Sequence, residues 1–155
     1  MQLRITKSIP LAEVRMRVEE IEAAYGGSLE DIPEQFASGL VGRKAFEDYV
    51  EWMGMVHAIR AWGEGEDFDY ITEDVIEMDR SEAKKLTPRR MELLDQLSRN
   101  RADSINDLAS KIGRDVKNVY NDLKTLEGIG FIQLVRDGRK MIPELRVHEI
   151  TILLW

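Results

Sequence analysis

The sequence predicts an α+β protein that is mainly helical. Apolar residues recur at helical spacing through much of the chain. The run Phe131–Val135 has strand composition, and Asp137-Gly138 just after it is a strong hairpin-turn signal. The formal charge of −7 is unevenly divided, with −10 on residues 1–80 and +3 on residues 81–155. The first half therefore predicts an acidic helical module, and the second a mildly basic domain of helices and a hairpin.

The N-terminal half begins with signals for a strand and a helix. Leu3 and Ile5 alternate with polar residues, a pattern typical of a short strand. Pro10 suits the start of a helix, and Gly26-Gly27 is expected to end it. Ser28 is a good N-cap residue for a further short helix.

A long helix is predicted from about Arg43 to Trp62, and its apolar face is unusually broad and aromatic. Trp52, Met55 and Trp62 do not all fit one apolar stripe. Two interpretations stay open for Trp52 and Met55: they complete the core of a helical hairpin, or they bind a partner. The candidate partner-binding residues are Tyr49, Trp52, Met55 and Trp62.

The segment RVEEIEAAYGGSLEDIPEQFASGLVGRKAFEDYVEWMGMVHAIRAW resembles a short module common in prokaryotic antitoxins. The resemblance implies that this part binds and neutralises a toxin encoded beside it. The chain departs from the module at Leu40-Val41 and Arg43-Lys44, where the module tends to be acidic. The matching residues are Tyr25-Gly26, Ser28-Leu29-Glu30, Phe36, Gly39 and Tyr49-Val50-Glu51-Trp52.

Three helices are predicted in the second half. Thr87 caps the first, with a proline next to it in the first helical position. Ser104 caps the second, Gly113 ends it, and Asp115 caps the third. The second and third helices are therefore joined by a short turn at residues 113–115. A short, glycine-bearing turn between two short amphipathic helices is typical of a helix-turn-helix.

A hairpin after those helices completes the order of a winged helix-turn-helix. The prediction is therefore an N-terminal helical module at residues 1–66, a linker at 67–83, and a winged helix-turn-helix domain at 84–155. The apolar segment at 146–155 has strand composition. It is expected to pair either within its own chain or across an oligomer interface, because a bare edge would invite aggregation.

The third helix and the hairpin tip carry the side chains that DNA binding requires. Lysine and arginine can contact phosphates or guanine, and asparagine can pair with adenine. The candidate DNA-binding residues are Arg114, Lys117, Asn118, Tyr120, Asn121 and Lys124 on the helix, and Arg136, Arg139 and Lys140 at the tip.

The segments LTPRRMELL and GRDVKNVYNDLKTLEGIGFI resemble archaeal and bacterial predicted transcriptional regulators with a MarR-like winged helix. The likeness covers about the last 70 residues. One departure is Asn121, where that family often carries arginine. The resemblance implies a DNA surface formed by Arg114, Lys117, Asn118, Asn121 and Arg139.

Together these features predict a sequence-specific transcriptional regulator that binds double-stranded DNA as a homodimer. With the antitoxin resemblance, they predict repression of its own operon. The alternative is a winged-helix protein-interaction module in a transcription or chromosome-maintenance complex, without specific DNA binding. A ligand-sensing regulator with a pocket near Trp52 and Trp62 ranks third.

The composition provides little for catalysis. The chain has no cysteine, and neither of its two histidines, His57 and His148, has a metal-ligand neighbour at the required spacing. No glycine-rich segment matches a phosphate loop or a dinucleotide fingerprint. We therefore expect no enzyme activity, no metal and no cofactor. The absence of a signal peptide or a long apolar run predicts a cytoplasmic protein without a membrane segment.

Overall fold

The computed structural model, which describes residues 1–31, 36 and 42–154, has the predicted α+β architecture. Two units can be distinguished, Ile9–Ile71 and Met1–Ser8 with Thr72–Trp155. In chain order the elements are β1 (Gln2–Ile9), α1 (Leu11–Tyr25), a 3₁₀ turn (Leu29–Asp31), α2 (Arg43–Gly63), β2 (Tyr70–Glu77), α3 (Arg80–Ala83), α4 (Pro88–Arg99), α5 (Ile105–Ile112), α6 (Val116–Gly128), β3 (Ile132–Asp137), β4 (Lys140–Leu145) and β5 (Val147–Leu153).

In the smaller unit, α1 packs against α2. Val14 and Val18 of α1 share a core with Trp52 of α2, which also stacks on Tyr25 at a ring-centroid distance of 6.0 Å. α1 ends at Gly26, whose positive φ of 77° suits a glycine. Of the short helix predicted after Ser28, the structure describes the 3₁₀ turn at Leu29–Asp31 and Phe36. The rest of that predicted helix and the antitoxin-like Gly39 lie outside the described residues.

The larger unit contains a three-stranded sheet in the order β2-β1-β5. β1 runs antiparallel to β5, with Leu3 opposite Ile152 and Ile5 opposite Ile150. The terminal strand therefore pairs within its own chain, as one of the two predicted alternatives requires. Two ion pairs connect β1 to β2. Arg4 pairs with Glu73 at 3.4 Å, and Lys7 pairs with Asp74 at 3.0 Å.

This sheet changes the predicted boundaries. β1 was assigned to the N-terminal module at residues 1–66, but its partner is the last strand of the chain. The predicted linker at 67–83 contains β2 and α3. The physical reason is that a short alternating strand needs a partner, and spacing along the sequence does not reveal where that partner lies.

Helices α4, α5 and α6 begin at the predicted caps. The Thr87 hydroxyl accepts a hydrogen bond from the amide of Arg90 at 3.3 Å, and the Ser104 hydroxyl accepts one from the amide of Asp107 at 3.0 Å. The apolar faces of the three helices meet in one core that also receives Phe131. The residues of this core that are at most 2% exposed include Ile5, Leu93, Leu108, Ala109, Val119, Leu123, Leu126, Phe131 and Ile132.

Candidate nucleic-acid interface

The turn between α5 and α6 determines where α6 begins. Gly113 has a φ of 67°, a left-handed conformation that glycine adopts without a side-chain clash. Oδ1 of Asp115 then accepts hydrogen bonds from the backbone amides of Lys117 at 3.0 Å and Asn118 at 3.2 Å. Both features were predicted from the sequence and are confirmed. Together they fix the residue at which α6 begins.

The polar face of α6 lies opposite a fully buried one. Val119, Leu123 and Leu126 are 0% exposed and attach the helix to the core. The other side of the helix is accessible to solvent. The predicted site residues exposed there are Lys117, Asn118, Tyr120, Asn121 and Lys124.

The tip of the β3–β4 hairpin differs by one residue from the prediction. Asp137 pairs with Lys140, so the two-residue loop is Gly138-Arg139 rather than Asp137-Gly138. Gly138 has a φ of 61° at the first loop position, as a type II′ turn requires. Arg139 therefore lies at the end of the hairpin, and Arg136 and Lys140 are exposed beside it.

α6 and the hairpin tip line a common cleft of about 640 Å³, referred to below as the helix–hairpin cleft. Lys117 and Tyr120 line it from α6, and Arg139 and Lys140 line it from the hairpin. Within the described residues, none of these three cations forms a salt bridge. Asp115 also lines the cleft, but its Oδ1 is already bonded to the first amides of α6. The cleft therefore presents unpaired positive charge, which attracts anions.

Arg114 does not lie on this exposed surface as predicted. Its Nη2 donates to Oδ2 of Asp122 at 2.6 Å, and its side chain is only 14% exposed. Oδ1 of the same carboxylate accepts from Nε of Arg90 at 3.0 Å. Arg90 also donates to the carbonyl oxygen of Lys85 at 2.9 Å. Arg114 is therefore a structural residue that connects the start of α6 with α4 through Asp122.

The two arginines also affect the charge state of Asp122. Its partial burial raises the pKa of the carboxyl group, but hydrogen bonds from Arg114 and Arg90 outweigh that effect. The pKa of Asp122 is therefore lowered from its ordinary value, and the group is a carboxylate at neutral pH. The ion pairs persist under the conditions in which a nucleic acid would bind.

A second cleft of about 400 Å³ lies on the other side of α6, next to the beginning of α4; we call it the asparagine cleft. Asn118 and Asn121 line it from α6, and Arg89 lines it from the start of α4. The cap residue Thr87 and the ion-paired side chains Arg90, Arg114 and Asp122 also line this cleft. The two asparagines are three positions apart, so they lie on the same face of the helix. Four predicted site residues of α6 are thus divided between the two clefts, and Lys124 lines neither of them.

Glu127 connects α6 to the hairpin. It accepts a hydrogen bond from the backbone amide of Leu134 in β3 at 2.9 Å. It also accepts one from Nζ of Lys124 at 2.7 Å. Burial raises the pKa of Glu127, but the bonds from Lys124 and from the Leu134 amide lower it below its ordinary value. Lys124 is exposed as predicted, yet its ammonium group already has an anionic partner.

The predicted partner-binding residues of α2 are largely inside the smaller unit. Trp52 and Met55 are 1% and 0% exposed, so they belong to its core and do not form an exposed binding surface. Tyr49 and Trp62 are half-buried. Trp62 stacks on Phe68 at a centroid distance of 5.0 Å, and its Nε1 donates to the Phe68 carbonyl oxygen at 3.0 Å. Of the two interpretations left open for Trp52 and Met55, the structure supports the core.

A different set of apolar residues on α2 is exposed. Phe46, Val50 and Met53 are 40%, 46% and 36% exposed, respectively, and we call them the α2 stripe. Their spacing of four and three residues places them on one face of the helix. The broad apolar face predicted for this helix included all three residues, and the prediction did not separate them from the core. The spacing of four and three residues could have identified the α2 stripe. Trp52 and Met55 obscured it, because they lie in the same part of the helix and are larger than or as apolar as the residues of the stripe.

Within the described ranges, histidine, aspartate and glutamate form no group of three or more that could hold a metal ion. No described helix combines the length and the apolar composition required to cross a membrane.

The comparison with protein families gives one match. Residues 85–152 are similar to the family described as HVO_A0114. This segment contains α4, α5, α6, the β3–β4 hairpin and most of β5, and it includes all the residues that line the two clefts. No curated protein matches the chain.

Proposed function

We propose that residues 84–155 form a winged helix-turn-helix domain that binds double-stranded DNA specifically and regulates transcription in the cytoplasm. In this proposal α6 is the recognition helix and the β3–β4 hairpin is the wing. The observation that carries it is the helix–hairpin cleft, where Lys117, Arg139 and Lys140 are exposed and unpaired among the described residues. Unpaired cations on two adjoining elements suit the phosphate backbone on either side of a groove.

The way in which α6 is held in position supports the same proposal. α5 and α6 are joined by a turn with a left-handed glycine, and carboxylates fix α6 at its middle and near its C-terminal end. Asp122 connects it to α4, and Glu127 connects it to β3. A helix held in this way can enter a groove with little loss of conformational freedom, because its position is already set before binding.

The C-terminal half carries only +3, so one protomer is expected to bind DNA moderately. The proposal is therefore a homodimer with its two α6 helices in successive major grooves, about 34–36 Å apart. Occupancy of a site near the promoter would repress transcription.

The smaller unit is proposed to bind a protein with a basic surface. Residues 9–71 carry 5 Lys and Arg against 14 Asp and Glu, and the α2 stripe lies among exposed acidic residues such as Glu47 and Glu51. An exposed apolar stripe flanked by acids is complementary to an apolar groove bordered by lysine or arginine. With the resemblance to antitoxins, the proposed partner is a co-encoded toxin, and its binding would modulate repression of the shared operon.

The test of DNA binding is a mobility-shift titration of the full chain on the DNA upstream of its own gene. Scrambled DNA of equal length and composition at the same salt concentration serves as the competitor. We expect specific retention that weakens for Lys117→Ala and Arg139→Ala and is unchanged for Arg99→Ala. Arg99 is a suitable control because it is an exposed cation paired with Asp95 on α4, outside both clefts.

Equal, weak binding to both DNAs would overturn the proposal. It would favour the alternative of a winged-helix protein-interaction module in a transcription or chromosome-maintenance complex. The observation behind that alternative is that Val116 and Tyr120, exposed to 43% and 40%, give the α6 surface an apolar component that a protein could also cover.

A further inference from the structure

The exposed face of α6 is left with few free base-reading groups once its internal contacts are considered. Arg114 is bound to Asp122, and Nζ of Lys124 is bound to Glu127. In the part of the chain that the structure describes, the side-chain amides of Asn118 and Asn121 make no hydrogen bond. The backbone groups of both residues are engaged in the helix and its cap, which leaves the two amides as unoccupied donors and acceptors.

The two amides also share a location. Asn118 and Asn121 are three residues apart on one face and both line the asparagine cleft. Cations flank them on either side: Arg89 lines the same cleft, and Lys117 and Arg139 line the helix–hairpin cleft. The one carboxylate among the lining residues of the asparagine cleft, Asp122, is paired with both Arg90 and Arg114. Neutral amides between positive flanks are the arrangement expected when base edges are contacted at the centre and phosphates at the margins.

The chemistry of the amides selects the base. Each asparagine offers one acceptor and one amino group, which together match the N6 donor and N7 acceptor of adenine in the major groove. Guanine offers two acceptors at the same edge and is read best by arginine or lysine. Arg114, in the turn before α6, also lines the asparagine cleft, but its Nη2 is engaged in the ion pair with Asp122. The exposed apolar surface of Val116 and Tyr120 is suited to the methyl group of thymine.

We propose that α6 reads A·T base pairs, with Asn118 and Asn121 as the adenine-reading residues of each half-site. This inference rests on the proposed function and makes it more specific. Arg89, Lys117 and Arg139 contact phosphates and set the register of the helix. Val116 and Tyr120 contact thymine methyl groups next to the adenines.

The experiment selects preferred sites for the full chain from a pool of random duplexes. The adenines of the selected site are then replaced one at a time by 7-deazaadenine, which lacks the N7 acceptor. At two adenines per half-site we expect a measurable loss of affinity that stays within the roughly 5-fold to 150-fold value of a complete bidentate contact, because 7-deazaadenine removes one of its two hydrogen bonds. Asn118→Ala and Asn121→Ala should each remove the preference at one position and leave the others intact. Asn100→Ala, an exposed asparagine beyond the end of α4, is the matched control and should change nothing.

The outcomes separate the two proposals. Selected sites centred on A·T pairs, sensitive both to 7-deazaadenine and to the two asparagine changes, would support the inference. Selected sites centred on G·C pairs, or A·T sites unaffected by either change, would overturn it while specific DNA binding stands. No enrichment of any sequence would overturn specific DNA binding itself, and the inference with it. A wild-type thermal unfolding midpoint for each variant excludes loss of folding as the cause.

Discussion

Arg114 and Asp122 form an ion pair with an Nη2–Oδ2 distance of 2.6 Å, and both side chains are more than four-fifths buried. The two residues lie eight positions apart, at the start and the middle of the α6 region. Because Asp122 also binds Arg90 of α4, one carboxylate fixes the position of the proposed recognition helix against its neighbour. A basic residue of a type that suits DNA binding thus serves to hold the proposed DNA-binding surface in place.

Replacement of Asp122 by alanine should destabilise the larger unit by about 2 kcal/mol. This value lies between the 0.2–1 kcal/mol typical of exposed pairs and the 3–5 kcal/mol for breaking a fully buried one, since the three side chains are 14–21% exposed. The loss arises because Arg90 and Arg114 keep their burial and lose their common partner. Urea unfolding followed by circular dichroism measures it.

Asp95→Ala is the matched control for that measurement. Asp95 pairs with Arg99 across one turn of α4, and both side chains are more than half exposed. Its replacement should change the free energy of unfolding by no more than about 0.5 kcal/mol. Equal effects of the two substitutions would show that the Asp122 network contributes nothing beyond an ordinary surface pair.

The contribution of Asp122 should depend on pH in a defined direction. Its pKa is lowered in the folded state, since the hydrogen bonds from both arginines outweigh the effect of burial. A group with a lowered folded pKa stabilises the fold above its unfolded pKa, near 4, and loses that contribution as the pH falls through the folded value. The difference in unfolding free energy between the wild type and Asp122→Asn should be largest at neutral pH and shrink below about pH 4. A difference that stays constant from pH 7 to pH 3 would contradict the assignment.

Local signals in the sequence were sufficient for the C-terminal helices. The caps Thr87, Ser104 and Asp115 form the hydrogen bonds expected of them, and Gly113 ends α5 in a left-handed conformation. Each of these features depends on neighbours within four residues. The hairpin was predicted within one residue, because Asp-Gly and Gly-Arg are both acceptable two-residue loops and the pairing of Asp137 with Lys140 selects the second.

Contacts between distant residues account for what the sequence did not predict. The pairing of β1 with β5 joins residues about 150 positions apart, as with Gln2 and Leu153, and both strands had been assigned without partners. The burial of Trp52 depends on α1 packing against α2. The removal of Arg114 from the exposed face depends on a carboxylate that the spacing alone did not pair with it. In each case, the sequence showed the type of the residue but did not reveal which distant residues surround it in the fold.

The salt dependence of DNA binding should distinguish Arg114 from Lys117. Lys117→Ala and Arg139→Ala each remove one cation of the helix–hairpin cleft, so each should lower affinity for all sequences and reduce the slope of log K against log salt by about 1. Arg114→Ala should lower thermal stability and leave the slope unchanged, because its guanidinium is bound to Asp122. Fluorescence anisotropy at four or more salt concentrations gives the slopes. A reduced slope for Arg114→Ala would show that the Arg114 guanidinium contacts a DNA phosphate, which would contradict a purely structural role.

Trp52 and Val50 of α2 should separate stability from partner binding. Trp52→Ala removes a 1% exposed ring from the small core and should destabilise the smaller unit by about 3–5 kcal/mol, seen as loss of helical circular dichroism at lower urea. Val50 is 46% exposed, so Val50→Glu should change stability by about 0.5 kcal/mol or less.

The same substitution places a charge in the middle of the α2 stripe and should abolish co-purification with the co-expressed product of the adjacent gene. Glu19→Ala, an exposed change on α1, is the control and should preserve both properties. If Trp52→Ala stayed as stable as the wild type yet lost the partner, Trp52 would be a binding residue and its place in the core would have to be abandoned.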